Sequence, residues 1–454
     1  MPDWVKHAIW WQVYPLGFTS AEATGEPETS PSGEPERDGA RPVTHRLGKL
    51  TGWLDYAVSL GASGVALGPV FASQTHGYDT TDHYRIDPRL GDEGDFAGLV
   101  EAAHARGLRV LLDGVFNHVG RGFPAFQRVL DQGPDSPEAS WFRLTWPAGW
   151  RPGTEPGYGT FEGHQALVAL NHEEPAVADY VAGVMNHWLD AGADGWRLDA
   201  AYAVPTAFWA QVVPRVRAGH PGAYLVGEVI HGDYPGFVAA SGLDSVTQYE
   251  LWKAIWSGLN DHNLFELGHA LGRHNGFLET FAPLTFVGNH DVTRLASQLE
   301  DDRHLAHALA VLLTVGGTPA IYYGDEQAFR GVKEERAGGD DEIRPGFPGG
   351  PDELAPTGWP VYRLHQDLIG LRRRHPWLYR AQTEMLQLAS EQMTYRVAAG
   401  DQYLVVALSL ADGEVRSGVP GAGEILAGPG VLAGAGSPEA QVTLPAHGWA
   451  ILSG

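Results

Sequence analysis

Three short apolar runs in the sequence each end on a carboxylate. They are Gly195-Trp196-Arg197-Leu198-Asp199, Tyr224-Leu225-Val226-Gly227-Glu228 and Phe286-Val287-Gly288-Asn289-His290-Asp291. In a barrel of parallel strands the C-terminal ends converge on one face, and that face carries the active site. A pair of acids with a third nearby is the equipment for breaking a glycosidic bond. A retaining enzyme sets an acid and a carboxylate nucleophile about 5–5.5 Å apart. Neighbouring strands lie roughly 5 Å apart, so acids ending consecutive strands suit that pair. Glu228 has the longer reach and follows an apolar run, and burial there favours the protonated acid. Arg197 lies two residues before Asp199, so both face the same way on a strand. A fixed guanidinium is predicted to keep Asp199 ionised as nucleophile. Asp291, with His290 beside it, is placed to hold sugar hydroxyls and strain the ring.

The elements that must position these residues are legible as an alternation. Eight apolar runs centre at about residues 9, 65, 110, 196, 225, 245, 285 and 320. Helical faces fall between most of them. Leu47, Leu50, Leu54, Ala57 and Val58 predict one helix ended by Gly61. Phe96, Leu99, Val100 and Ala103 predict another, closed by Gly107, and Val177, Tyr180, Val181, Val184 and Trp188 a third. Near-continuous apolar strands alternating with amphipathic helices predict an α/β fold, a (β/α)8 TIM barrel. It is expected to span 1–376, with a small irregular subdomain at about 118–175 inserted after the third strand. A loop rich in Gly, Pro, Glu, Ser and Thr occupies about 20–45. A last helix over Val361, Leu364, Leu368 and Leu371 ends in Arg372-Arg373-Arg374, read as a structural cluster complementing the helix dipole. Residues 377–454 lack a helical period and predict a C-terminal antiparallel β-sandwich.

Composition narrows the function. The 454 residues carry a formal charge of −24, with 43% apolar and 19% charged residues, as in a soluble globular protein. So acidic a surface repels phosphate backbones and anionic bilayers, which argues against nucleic-acid and membrane partners. A neutral sugar is indifferent to it. The absence of cysteine removes disulfides, thiol nucleophiles and thiolate metal sites and fits a cytoplasmic home. Met1 to His7 show no basic segment followed by an apolar core, so no signal peptide is expected. The sequence carries no signal for an oligomeric state.

Taken with their neighbours, these runs resemble the signatures of the α-amylase family of glycoside hydrolases (family 13). Asp113-Gly114-Val115-Phe116-Asn117-His118 is similar to the first signature, Gly195 to Asp199 to the second, Gly227-Glu228 to the third and Phe286 to Asp291 to the fourth. The resemblance covers roughly residues 8 to 375. It implies Asp199 as nucleophile, Glu228 as acid/base and Asp291 as transition-state stabiliser. It further implies Tyr78, within His76-Gly77-Tyr78-Asp79, as the ring under the sugar, and Asp113, His118, Arg197 and His290 as polar contacts of the same subsite. Asn117 matches a residue that binds a structural calcium in many relatives. Arg344, in Asp340-Asp341-Glu342-Ile343-Arg344-Pro345, resembles a position of oligosaccharide-acting members and is expected either to contact a non-reducing sugar or to form a salt bridge.

The departures sharpen the expectation. Many calcium-dependent members carry a Lys-His pair shortly after the nucleophile; here Ala200-Ala201-Tyr202-Ala203-Val204 follow. That points away from a secreted calcium amylase, and no cofactor is expected to be required. Leu170-Asn171 resembles the fifth signature of cyclomaltodextrinase-like members. The expected activity is retaining hydrolysis of α-1,4-glucosidic bonds of small-molecule maltooligosaccharides or starch by double displacement. Alternatives within the family are a 4-α-glucanotransferase and a sucrose- or trehalose-active α-glucosidase. The alternative from another class is a non-catalytic sugar-binding barrel.

Overall fold

The eight apolar runs become eight parallel strands: β1 (Trp10–Val13), β2 (Gly64–Leu67), β3 (Arg109–Gly114), β4 (Gly195–Leu198), β5 (Tyr224–Gly227), β6 (Ser245–Val246), β7 (Leu284–Phe286) and β8 (Thr318–Tyr322). Their order is β6-β5-β4-β3-β2-β1-β8-β7. A parallel bridge between Thr247 and Leu284 joins the two ends and closes the barrel. The computed structural model describes residues 1–21, 42–336 and 338–454. Most of the predicted loop at 20–45 lies outside the described residues.

Strand periodicity sorts side chains between two cores. Trp10, Ala66, Leu111, Tyr224, Val226, Phe286 and Ala320 fill the barrel interior. Their neighbours Trp11, Val65, Val110, Leu112, Leu225 and Ile321 face outward, against the helices. Trp10 stacks on Tyr224 with ring centroids 6.2 Å apart. Space for these rings comes from small residues. A Cβ on Gly64 would lie 2.4 Å from the Trp10 ring, and one on Gly195 would lie 2.2 Å from the Tyr224 carbonyl oxygen.

The helices follow their predicted faces with one difference. The first is broken at Trp53 into Leu47–Gly52 and Leu54–Leu60. The break turns the second segment, so Val58 is 41% exposed while Tyr56 and Leu60 are buried instead. Gly61 ends it with φ +100°, a left-handed cap that glycine adopts without a Cβ clash. Glu93–Ala105 starts on a capping box between Asp92 and Asp95, and Pro175–Asp190 starts on Pro175. The arginine run is structural, but it serves neighbouring elements. Arg372 donates to the carbonyls of Leu313, Val315 and Gly317 at the end of helix Leu305–Thr314. Arg373 donates to the carbonyl of Gly61.

The insertion after β3 holds a helix, Pro124–Gln132, and a three-stranded antiparallel sheet of His118–Gly120, His164–Ala169 and Thr160–Phe161. After helix Trp359–Arg374 the chain forms antiparallel sheets of five and three strands between Gln382 and Ser453. Among the described residues no helix is long and apolar enough to cross a membrane.

Candidate active site

Inward-facing positions alternate along β3, β4 and β5, and this alternation builds the site. Leu111 faces the barrel interior, and so does Asp113 two residues on. Arg197 pairs in register with Asp113 across β3 and β4. Leu198 pairs with Gly227 across β4 and β5, so Asp199 and Glu228, each one residue further, stand side by side.

Arg197 ties the acids together. Its Nη1 lies 2.8 Å from Asp113 Oδ1 and 2.9 Å from Asp199 Oδ1, and its Nη2 lies 2.9 Å from Glu228 Oε1. Sequence pattern assigned this guanidinium to Asp199 alone. Shared among three acids, it does not hold Asp199 in the ordinary range. Burial pushes the Asp199 carboxyl well up, and Glu228 and Asp113 add repulsion that Arg197 only partly offsets. Burial raises Asp113 as well, against the pull of Arg197 and His290. For Arg197 itself burial disfavours the charge, but the surrounding carboxylates outweigh it and raise its pKa.

Glu228 is held from three sides. Besides Arg197, the Tyr249 hydroxyl donates to Oε1 at 3.0 Å and the Ala200 N–H to Oε2 at 2.9 Å. Ala200 reaches this position with φ +44°, a left-handed conformation that costs an L-residue roughly 1–2 kcal/mol. The residue after the predicted nucleophile is thus turned so that its amide serves the predicted acid. Asn289 donates to the Tyr249 hydroxyl at 3.0 Å and accepts from the Asp291 N–H at 2.8 Å. This relay links the Glu228 side of the site to Asp291.

Asp291 faces the mouth. Its side chain is 31% exposed, against 10% for Asp199 and 8% for Glu228. His290 Nε2 lies 3.0 Å from Oδ2 and Arg344 Nη2 2.9 Å from Oδ1. Burial alone would raise this carboxyl, but His290, Arg344 and Arg197 outweigh it and hold Asp291 well below the usual range. Burial and neighbouring acids thus raise Asp199, while His290, Arg344 and Arg197 lower Asp291.

Tyr78 stacks on His290 with centroids 5.5 Å apart, and Tyr14 covers the other side at 6.2 Å. The Tyr78 hydroxyl is bonded to His290 Nε2 and donates to Asp113 Oδ2 at 3.2 Å. Arg344 is buried against Tyr14, with its guanidinium 4.7 Å from the ring centroid, and also donates to the His290 carbonyl at 2.9 Å. Its ion pairs are buried rather than at the surface: Nη2 meets Asp291 and also Asp340 Oδ2, each at 2.9 Å, which fixes the Asp291 carboxylate.

His118 is turned towards Tyr78. It is 1% exposed, with Nδ1 bonded to the Asn117 amide at 3.1 Å and Nε2 to the Tyr78 carbonyl at 3.0 Å. Burial lowers its pKa to about 4. Both ring nitrogens are used within the protein, so it acts on the site by holding Tyr78. Asn117 is correspondingly a hydrogen-bonding residue, its side-chain amide held on His118. The groups of three or more clustered His and carboxylate ligand atoms among the described residues lie elsewhere. Where other members carry a Lys-His pair, Tyr202 instead donates to Glu162 of the insertion at 3.1 Å.

Several contributors were not singled out from the sequence. Gln12 donates to His290 Nδ1 at 3.1 Å, and Lys333 donates to the Asp291 carbonyl at 3.0 Å. A polar Gln inside the apolar run of β1 was the available signal for the first. Tyr249 and Lys333 had none, because their roles depend on how the loops after β6 and β8 fold back.

Comparison with known proteins agrees with this geometry. Residues 12–347 match the model of the alpha-amylase catalytic domain. A maltogenic alpha-amylase of Bacillus acidopullulyticus is 33% identical over 349 residues, covering 73% of this chain and 58% of that protein. A cyclomaltodextrinase of Geobacillus thermopakistaniensis is 32% identical over 425 residues, covering 90% of this chain and 69% of that protein. The chain thus spans little more than half of the first relative's length. The solved structure of the native debranching enzyme of Nostoc punctiforme superposes with a TM-score of 0.82 at 28% identity, covering 100% of this chain and 99% of that one. With four strand-end signatures gathered on one barrel face and a family match across most of that barrel, the chain belongs to the alpha-amylase family of glycoside hydrolases, family 13.

Proposed function

We propose that the protein is a retaining glycoside hydrolase acting on α-1,4-glucosidic bonds of maltooligosaccharides, linear or cyclic. The observation that carries this reading is the side-by-side placement of Asp199 and Glu228 on β4 and β5, bridged by Arg197. Three carboxylates face one guanidinium, and the first step consumes one proton and uses one free carboxylate as nucleophile. Glu228 gives that proton to the glycosidic oxygen as its bond to C1 breaks, while Asp199 forms a bond to C1. Asp291, ionised and clamped by His290 and Arg344, takes the ring hydroxyls and favours the oxocarbenium-like state. Water then attacks C1, loses its proton to Glu228 and frees Asp199. A sugar hydroxyl in the place of water makes the same step a transfer. No metal enters any step. The lack of cysteine supports work in a reducing cytoplasm.

The test is turnover of maltoheptaose, maltotriose and sucrose by the wild type, Glu228→Gln and Asp199→Asn, with and without a chelator. Loss of the acid should cost about 10²–10⁴-fold, less on a glycoside whose leaving group departs without a proton. Unchanged turnover in either variant overturns the mechanism. Cleavage of sucrose with maltotriose left intact overturns the substrate class.

A second reading rests on the end-to-end likeness to a debranching enzyme. On it the protein cleaves α-1,6 branch points as well, and release of maltotriose from pullulan is the outcome that favours it.

A further inference from the structure

Four histidines gather where the barrel meets the C-terminal sheets. The His304 ring centroid lies 5.6 Å from that of His262, 5.3 Å from His307 and 5.1 Å from His447. His307 is committed to the fold: its Nε2 bonds the carbonyls of Ser409 and Gly448 at 3.0 and 3.2 Å. His262 is turned to Glu391 at 3.2 Å. The other two face each other, with His304 Nε2 2.9 Å from His447 Nδ1. Asp301 Oδ2 completes a triangle at 4.0 Å from His447 Nδ1. The ligand atoms of Asp301, His304 and His447 all lie within 4.8 Å of one another.

We propose that Asp301, His304 and His447 form a binding site for a divalent transition metal of the zinc class, which clips the barrel to the C-terminal sheets. Tetrahedral zinc with bonds of about 2.0–2.1 Å sets its ligand atoms roughly 3.4 Å apart, between the 2.9 and 4.0 Å separations found here. Asp412 Oδ1 accepts from His447 Nε2 at 2.9 Å. That bond fixes the tautomer that leaves the Nδ1 lone pair pointing into the triangle, the carboxylate–histidine arrangement that supports metal ligands. The contact between the two imidazoles is then a His304 Nε2–H donating to His447 Nδ1. The metal replaces that hydrogen, and His304 takes its Nδ1–H form. Asp301 also binds Arg303, whose Nη2 and Nε lie 2.6 and 2.9 Å from Oδ2. The Arg303 side chain is 59% exposed, so on metal binding the whole guanidinium swings into solvent while the Arg303 backbone N–H stays on Oδ1 at 2.9 Å. Two imidazoles and one carboxylate select zinc-like ions over calcium or magnesium. These three residues leave a fourth position for a water or for His262, whose ring centroid lies 5.6 Å from that of His304.

The test uses the whole chain, stripped with a chelator and titrated with zinc chloride, with melting temperature and calorimetric stoichiometry as readouts. Cobalt in place of zinc reports tetrahedral coordination by its visible absorption. One equivalent of zinc, a raised melting temperature and a tetrahedral cobalt spectrum are expected. All three should fall away in His304→Gln and His447→Asn, with affinity at least tenfold weaker in Asp301→Asn. Asparagine is chosen because His447 has φ +50°, which Asn tolerates. Glu228→Gln should bind zinc as the wild type does. Absence of binding, or equal binding by the wild type and the His304 and His447 variants, overturns the proposal.

Discussion

Arg197 sets one positive charge against Asp113, Asp199 and Glu228, and this excess of acid has a consequence for stability. A carboxyl whose pKa is raised by folding contributes stability that is complete below its unfolded value of about 3.9 and lost as pH rises through the folded value. Asp199 is such a group, raised by burial and then by neighbouring acids, so its ionised form weakens the fold at neutral pH. We expect Asp199→Asn to unfold at higher temperature than the wild type at pH 7, by about 0.5–2 kcal/mol in stability. A lower melting temperature would show that Arg197 more than compensates. Arg344 acts at one remove, through Asp291. Arg344→Gln frees that carboxylate to turn, and kcat should fall about 10²-fold with KM little changed. Steady-state kinetics on maltoheptaose decide it, since an unaltered kcat removes Arg344 from the positioning machinery.

The elements carry the site through strand alternation and through the turns that follow each strand. Arg197 and Asp199 were assigned to one face from period-two spacing, Glu228 from its place at the end of an apolar run and Asp113 from the family resemblance; the register of β3, β4 and β5 brings them together. The bonds of His118 to Asn117 and Tyr78 were not legible in advance, because its strand leaves the barrel for the insertion sheet, which pattern near a signature does not reveal. The turn after β8 holds a further titrating group. Glu326 accepts from the Tyr56 hydroxyl and the Gly324 N–H, each at 2.9 Å. Burial nevertheless pushes its carboxyl up to about 7. Its stabilising contribution is complete below the unfolded value and is lost as pH climbs through about 7. Asp325 beside it, raised to about 6 by burial against the pull of Arg294, acts with the same sign. The melting temperature should therefore fall between about pH 5 and pH 8, and Glu326→Gln should flatten part of that fall. An identical slope in the variant would assign the pH dependence to other groups.

At the scale of the molecule, a charge of −24 repels itself across the surface, while the substrate is neutral. Salt screens that repulsion over a Debye length of about 10 Å at 0.1 M. Raising ionic strength from about 0.01 to 0.15 M should raise the melting temperature and leave KM for maltooligosaccharides unchanged. A KM that moved with salt would mean that a charged group meets the substrate more directly than a neutral sugar requires. Barrel closure is also a property at this scale. Only two residues of β6 are strand, and the ring closes through the Thr247–Leu284 bridge, so the Asp291 loop and the Glu228 loop meet across a narrow seam relayed by Tyr249 and Asn289.

The order of residues was enough to determine the eight-strand alternation, the C-terminal antiparallel sheets, and the positions of Asp199 and Glu228 directly after β4 and β5, whereas Asp291 lies five residues beyond β7, in the loop that follows it. Those features follow from periodicity and from short signatures, which are local and survive without knowledge of the fold. The tertiary structure alone decided who touches whom between distant segments. It spread Arg197 over three acids, turned Arg344 onto Asp291, confined His118 behind Tyr78 and brought Asp301, His304 and His447 together. Each of these is a contact between residues far apart in the chain or a sharing of one charge among several. Electrostatic balance depends on distance in space and on burial, and neither is written in sequence spacing.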